Sequence, residues 1–261
     1  MKYKLNLPLE LEPHRGKFLK SIKPFIKIIP QKEKITKPWQ SKIGGLPYLP
    51  IDIDFPKNKN GEQLFFLAQI NFAEMPSLEN FPKKGILQFY INDDANYGLE
   101  YDIPDEQNNF RILYFSEIEK DEELLKTKSG FREYSSTPIP PKKSFPILFE
   151  LKKEAVPLTD HNIHDYIGED FFNQFGQGQW AIMSAYSKAV SAGGHKIGGY
   201  AFFTQEDPRY EMGEYELLFQ LDSDQNINCQ WGDMGVANFF IKKEDLIKKD
   251  FSEVLFNWDC Y

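Results

Sequence analysis

Short apolar runs, separated by turns rich in glycine, proline and asparagine, dominate the chain. The run at 64–72 is almost continuously apolar, which is typical of a strand covered on both faces of a sheet. Runs at 25–29, 85–91, 110–115 and 145–151 predict four further strands. The pattern therefore favours a protein with more sheet than helix.

Helical spacing of apolar residues is confined to a few segments. A helix is predicted to begin near Pro13 and to end before Pro24, because proline is tolerated in the first helical turn and stops a helix elsewhere. Asp160 can cap a second helix, in which Ile163 and Ile167 lie on one face. A short exposed helix is predicted at 117–126 and an extended stretch at 138–146. Residues 180–186 are predicted to form a buried segment of undecided type.

Two parts of the chain resemble each other at an offset that drifts by only a few residues. Loop deletions cause such a drift, so we predict an internal duplication. The matches are 42–45 with 196–199 at an offset of 154, 69–70 with 220–221 at 151, 89–91 with 239–241 at 150 and, more loosely, 110–115 with 251–256 at 141.

These elements predict an α+β, β-rich protein with internally duplicated, pseudo-symmetric sheets and a few packed helices. The two sheets are expected to meet or to continue into one another, and a ligand groove often lies at such a junction. The whole chain is expected to form one compact domain. In chain order we expect an N-terminal helix and strand at 1–38, a first repeat at 39–116, a connecting segment at 117–146 and a second repeat at 147–261.

Composition and charge narrow the class of protein. Of the 261 residues 41% are hydrophobic and 27% charged, as in globular proteins that bury a core without disulfides or metals. The formal net charge of −8 repels phosphate backbones and anionic lipids, so neither nucleic acid nor a membrane is an expected partner. Residues 1–13 lack an apolar signal region, and Cys229 and Cys260 fit free thiols in a reducing compartment. We therefore expect a cytoplasmic protein.

Several motifs together carry a family resemblance. In the first repeat the motifs are residues 44–47 and 66–71. In the second repeat they are 195–199 (His-Lys-Ile-Gly-Gly), 207–209 (Asp-Pro-Arg), 218–222 (Leu-Phe-Gln-Leu-Asp) and 231–235 (Trp-Gly-Asp-Met-Gly). From about Trp39 onward the chain resembles the bacterial YwqG-like family. The resemblance implies an α+β fold with internal duplication and an immunity-type or other interaction role. It supplies no catalytic residue.

The candidates for function are the residues that the second repeat has and the first lacks. The imidazole of His195, between two glycine pairs, can act as an acid, a base or a metal ligand, and Arg209 can bind a carboxylate or phosphate. Trp231 can line a recognition surface, although tryptophan in β-rich proteins more often fills the core. The full set of candidate ligand-binding residues is His195, Arg209, Asp222, Asp224, Trp231 and Asp233.

Two patterns are reminiscent of metal sites, and both depart from the known motifs. Residues 222–233 place oxygen-bearing side chains as in a calcium loop, but Ile227 replaces the required glycine and Asp233 the usual glutamate. His161 and His164 are three residues apart and lack the arrangement of a zinc protease. We therefore predict no metal and no cofactor, with a turn after the strand at 217–221 and with surface histidines.

Two classes of function remain. We favour a non-catalytic protein-interaction module of the immunity type, because an acidic surface suits a basic partner such as a nuclease. The alternative is a small-ligand-binding or metal-dependent enzyme whose site lies at the junction of the repeats. Convergence of His195, Arg209 and Asp233 in one deep pocket would favour the enzyme, and side chains that point apart would argue against it.

Overall fold

One large antiparallel sheet of ten strands forms a half-barrel, accompanied by few helices. The computed structural model describes residues 4–132, 139 and 141–261. The α+β, β-rich prediction is confirmed, and the two expected sheets continue into one another as a single sheet. The strands are β1 (Lys23–Pro30), β2 (Lys42–Ile43), β3 (Phe65–Asn71), β4 (Ile86–Ile91), β5 (Arg111–Phe115), β6 (Phe145–Glu154), β7 (Lys196–Gly198), β8 (Glu216–Asp222), β9 (Val236–Ile241) and β10 (Leu255–Asp259). Their order across the sheet is β10-β9-β8-β7-β1-β6-β2-β3-β4-β5.

The helices are short, and two of the predicted ones differ from expectation. The helix after Asp160 breaks at Gly168, whose φ of 94° no helix accommodates, and the helix expected at 117–126 is a single 3₁₀ turn. The extended stretch expected at 138–146 lies partly outside the described residues. The α-helices are α1 (Arg15–Lys20), α2 (Ile163–Ile167), α3 (Gln179–Ala189), α4 (Arg209–Met212) and α5 (Lys243–Lys248), and 3₁₀ helices span Leu9–His14, Phe72–Glu74, Glu122–Leu124, Phe171–Gly178 and Gln225–Ile227. Within the part of the chain that the structure describes, no helix has the length and apolar character needed to cross a bilayer.

The sheet curves so strongly that its two halves share one core. Phe89 of β4 and Phe219 of β8 are six places apart in the strand order, which would be ~29 Å on a flat sheet. Their ring centroids are nevertheless only 4.6 Å apart, and both rings are fully buried. Apolar residues of β3, β4, β8 and β9 therefore fill the concave side as a single cluster.

The two halves of the sheet have the same strand order and the same register. From the centre outward, β6 is followed by β2 to β5, and β1 by β7 to β10. Lys42 lies opposite Gln69 and Lys196 opposite Gln220, and the β3–β4 and β8–β9 pairs each have a register shift. These pairings match the offsets of 154, 151 and 150. The outermost strands differ: Ile112 and Phe256 occupy equivalent places, an offset of 144 where the sequence match gave 141.

The two central strands, β1 and β6, pair with strands outside the segments to which the sequence assigned them. β1, from the N-terminal segment, pairs with β7, whereas β6, which begins at the end of the predicted connection, pairs with β2. β1 also pairs along its whole length with residues 147–154 of β6. β1 therefore joins the half of the sheet that contains β7 to β10, and β6 joins the half that contains β2 to β5.

A buried glutamine at the same place in each half fixes the loop that leads into the half. The side-chain amide of Gln69 donates to the carbonyls of Pro38 and Gln40, both at 2.8 Å. The amide of Gln220 donates likewise to Ala192 at 3.0 Å and Gly194 at 2.7 Å, each 154 residues further on. The glutamines in the recurring motif thus stabilise the loops by donating hydrogen bonds to their carbonyls.

Candidate functional site

The predicted site residues fall in three separate places. His195, Asp222 and Asp224 lie together at the end of β8. Arg209 lies in a different ion-pair cluster, with Asp160 and Asp207. Trp231 is part of the shared core, while Asp233 is on the surface. The convergence that the enzyme hypothesis needs is therefore not found among the described contacts of these side chains.

His195 is held by both of its ring nitrogens and is 7% exposed. Its Nδ1 accepts the backbone N–H of Asp222 at 3.1 Å, so the neutral ring carries its proton on Nε2. Nε2 lies 3.2 Å from a carboxylate oxygen of Asp224. The hydrogen bond from His195 is the main cause of the low pKa of Asp224, which is about 2. His195 is thus a buried, fully bonded histidine and not the surface histidine that the sequence suggested.

A serine has the corresponding role in the other half of the molecule. The hydroxyl of Ser41 accepts the backbone N–H of Asn71 at 2.8 Å, where Ser41 and Asn71 correspond to His195 and Asp222. In both halves, a side chain from the loop before a short strand accepts the last N–H of the neighbouring strand. The bond between His195 and Asp222 therefore has a structural explanation.

The segment that resembles a calcium loop directs backbone N–H groups at its carboxylates. Asp222 accepts the N–H of Gly194 at 2.7 Å, and Asp224 accepts that of Asn226 at 2.8 Å. Between Asp224 and Asn228 the chain forms a short 3₁₀ turn. Donors that point at the carboxylates stabilise a turn and leave few free oxygen lone pairs for a cation.

Trp231 and Asp233 have different surroundings, although they are only two positions apart in the chain. Trp231 is fully buried and packs edge to face on Tyr97, with ring centroids 5.2 Å apart. Its indole N–H has no partner among the described atoms. Asp233 is exposed, and its backbone carbonyl accepts the N–H of Tyr261 at 3.1 Å. Trp231 is consequently a core residue and does not line a surface.

Arg209 is the centre of a buried ion cluster that sequence reasoning did not assemble. One guanidinium nitrogen contacts Asp207 at 2.7 Å and Asp160 at 3.0 Å, and all three side chains are at most 5% exposed. Burial alone would raise the pKa of Asp207, but the bonds and charge of Arg209 outweigh it and hold that pKa below its usual range. The ion pair within the Asp-Pro-Arg turn is therefore buried, and Arg209 binds carboxylates of the protein itself.

His161 extends this cluster to the surface. Its Nδ1 lies 2.9 Å from Asp207, and its backbone N–H donates to the same oxygen at 3.2 Å. His161 lines an open groove of about 1270 Å³ that also contains His164, Asp259 and Cys260. No sequence pattern links residues 160–164 with 207–209, because only the fold brings the two segments together.

A second groove, of about 570 Å³, lies on the outer side of the first half. Ile51, Ile53 and Leu124 line it although they are 58%, 39% and 48% exposed. Its floor includes Tyr48 and Phe115, which pack on each other in a separate apolar cluster. We call the surface formed by residues 50–53 and 115–124 the acidic groove, because Asp52, Glu117 and Glu119 also line it.

The fold and these sites define an α+β protein with a half-barrel sheet. Its described sites are two surface grooves and the buried ion cluster of Arg209. The chain belongs to the DUF1963 family, a domain of unknown function, whose family model matches residues 41–260. A search of curated proteins finds no match.

Proposed function

We propose that this protein is a non-catalytic interaction module that binds a basic protein partner. The observation that carries the proposal is the acidic groove, in which exposed apolar side chains are surrounded by carboxylates. Exposed apolar patches with a polar rim are typical of protein interaction sites.

Much of the negative charge of the chain is concentrated around this groove. Residues 51–54 and 116–124 carry seven carboxylates and one lysine, a formal charge of −6 compared with −8 for the whole chain. Three of the carboxylates pair with lysines from neighbouring segments: Lys37, Lys84 and Lys126. The remaining four, Asp52, Glu119, Asp121 and Glu123, have no ion pair with any residue in the described ranges. Carboxylates without an ion-pair partner on a rim steer a basic partner and favour its binding.

The groove is also preformed. The backbone N–H of Ile51 donates to the carbonyl of Leu124 at 2.8 Å, and Pro50 forms a β-bridge with Leu125. These bonds fix the two segments relative to each other, so little conformational entropy is lost when a partner binds.

Finer features of the proposal rest on the motifs and on composition. We place the protein in the cytoplasm and among the bacterial YwqG-like proteins, in an immunity-type role in which it masks a basic toxin. The equal strand order and register of the two halves support an internal duplication as the origin of the sheet. The alternative, a ligand-binding or metal-dependent enzyme at the junction, stays a prediction.

Affinity capture from a native lysate tests the interaction with a pair of matched variants. Wild type should retain a basic protein, and the double variant Ile51→Ser/Leu124→Ser should lose it. The control is Ile247→Ser, which removes a 55% exposed isoleucine from α5 and should bind as wild type does. Binding should weaken steeply as salt rises, because the contact is between charged surfaces. Retention of the same proteins by wild type and by the double variant would refute the proposal.

A further inference from the structure

The imidazole of His161 is fixed by its inner nitrogen. Nδ1 bonds to Asp207, which is 4% exposed and is itself held by the guanidinium of Arg209. In metal sites, a histidine that binds the ion through one nitrogen commonly donates the other N–H to a carboxylate, which sets the tautomer and the ring orientation. His161 has this carboxylate already in place.

The outer nitrogen of His161 is free and faces solvent. No described residue forms a hydrogen bond with Nε2. Within the described chain, the buried side-chain nitrogens and oxygens that lack a partner belong to Arg111, Trp231 and Asn238. The unpartnered Nε2 of His161 is therefore solvent-accessible, and it reaches solvent through the groove that this residue lines.

A second imidazole lines the same groove. His164 follows three residues later, at the start of α2, and is exposed. The two imidazoles therefore line one groove, His161 from the turn just before α2 and His164 from the first turn of that helix. The groove also contains the thiol of Cys260, which is half-buried and not in a disulfide.

The carboxylates themselves are a poorer place for a cation. Asp160, Asp207 and His161 have donor atoms within 4.8 Å of one another, but Arg209 occupies the space between the two carboxylates. An ion placed there would be repelled by the guanidinium. The open position is therefore on the outer side of the imidazole, with Asp207 as its support.

We propose that His161, through Nε2, and His164 bind a divalent transition-metal ion of the zinc type in this groove, with water at the remaining coordination positions. Imidazole nitrogens prefer zinc, cobalt and nickel to magnesium or calcium, which require oxygen ligands. The proposal does not depend on the acidic groove or on a protein partner.

The decisive experiment is NMR of the untagged protein during titration with Co²⁺. The chain has four histidines, so the imidazole signals can be assigned individually. The signals of His161 and His164 should shift or broaden in step with one equivalent of Co²⁺, and those of His14 and His195 should not. Effects on all four histidines, on neither member of the pair, or on His161 alone would overturn the proposal.

Calorimetric titration with Zn²⁺ gives the matching affinities. The variants His161→Ala and His164→Ala should each weaken binding by about tenfold or more. His14→Ala, whose ring packs on Phe171 and Phe175, is the control and should bind as wild type does. Circular dichroism checks that each variant is folded. Equal zinc affinity in His161→Ala and wild type, or Mg²⁺ binding as tight as that of Zn²⁺, would also overturn the proposal.

Discussion

His195 resembles a catalytic residue, but its bond to Asp224 has a structural role that can be measured. The histidine accepts a backbone N–H with one nitrogen and contacts a carboxylate with the other. No ring nitrogen is left for a substrate, so its effect should be seen in the stability of the fold.

Asp224→Asn should lower stability by about 1–2 kcal/mol at pH 7, because a charge-assisted hydrogen bond is lost. The pKa of Asp224 falls from an ordinary 3.8 to about 2 in the folded protein, so this stabilisation is fully present above pH 4. It is lost as the pH falls through about 2. Urea unfolding of both proteins at several pH values measures the difference, and a difference that persists unchanged at pH 2 would contradict the assignment.

Two buried lysines at equivalent positions have opposite surroundings. Lys196 forms an ion pair with Glu154 at 2.7 Å, and both side chains are nearly inaccessible. Lys42 is equally buried but donates only to the carbonyl of Pro38 at 3.1 Å, and no carboxylate in the described ranges lies within ion-pair distance. Burial lowers the pKa of Lys42 to about 7. The two positions should therefore respond differently to the same substitution.

Lys42→Met should stabilise the protein by about 1–3 kcal/mol near pH 6, because it removes a buried charge that has no ion-pair partner within the described part of the chain. The unfolded chain holds the lysine proton up to pH 10.5 and the folded chain only up to about 7, so wild-type stability rises across that window. The advantage of the variant should accordingly shrink as the pH rises from 7 to 10.5. Denaturant unfolding as a function of pH measures it.

Lys196→Met is the matched comparison and should destabilise by about 3–5 kcal/mol, because it leaves the buried carboxylate of Glu154 without its cation. An equal effect of both substitutions at neutral pH would show that the two sites do not differ as described.

At the scale of elements, each half depends on a loop whose backbone only glycine adopts readily. Gly44 and Gly198 have φ of 69° and 68°, and Gly45 and Gly199 both have 76°. A Cβ at Gly199 would collide with the side chain of Glu154. The glycine pairs are thus explained by turn geometry, and the buried glutamines hold the preceding loops in place.

Gln69→Leu and Gln220→Leu should each destabilise the protein by about 3 kcal/mol, since each removes two hydrogen bonds to loop carbonyls and one from a backbone N–H. Gln230→Leu, at an exposed position, should change stability by less than about 0.5 kcal/mol. Chemical denaturation compares the three. A much smaller effect at one of the two buried positions would mean that the halves are not held alike.

The strands were more predictable from sequence than the helices. The apolar run that forms β3 is buried at every position, so its pattern alone identifies a central strand. The segment after Asp160 has helical spacing from Ile163 to Phe171, yet Gly168 divides it into α2 and a 3₁₀ helix. Spacing of side chains does not reveal where a backbone leaves helical geometry, which is why the break was missed.

The candidate site was only partly predictable, for a similar reason. The sequence grouped His195, Asp222 and Asp224 with Arg209, Trp231 and Asp233, but only the first three lie together among the described contacts, because they flank the neighbouring strands β7 and β8. The contact of Arg209 with Asp160 was not predicted, because no sequence pattern links residues 49 positions apart. The role of a polar residue depends on contacts that the whole fold creates.

At the scale of the molecule, the two halves of the sheet should unfold together. Phe89 and Phe219 come from different halves and pack against each other within one core. Phe89→Ala should destabilise the protein by about 3–5 kcal/mol, and its unfolding should remain a single transition. Far-ultraviolet circular dichroism and tryptophan fluorescence should give coincident curves. Separate transitions would show that the halves have independent cores, and Leu9→Ala, at an 84% exposed position, is the neutral control.

The central position of β1 has a consequence for how the chain is made. This strand is synthesised well before its neighbours, which begin only at Phe145 and Lys196. Until those segments are made, both edges of β1 lack their final partners, a state that invites association between nascent chains. Pro24 and Pro30 at its ends and the exposed Lys27 between them disfavour such pairing. The strand that joins the two halves is thus also the strand whose edges must be kept from wrong pairing while its partners are still missing.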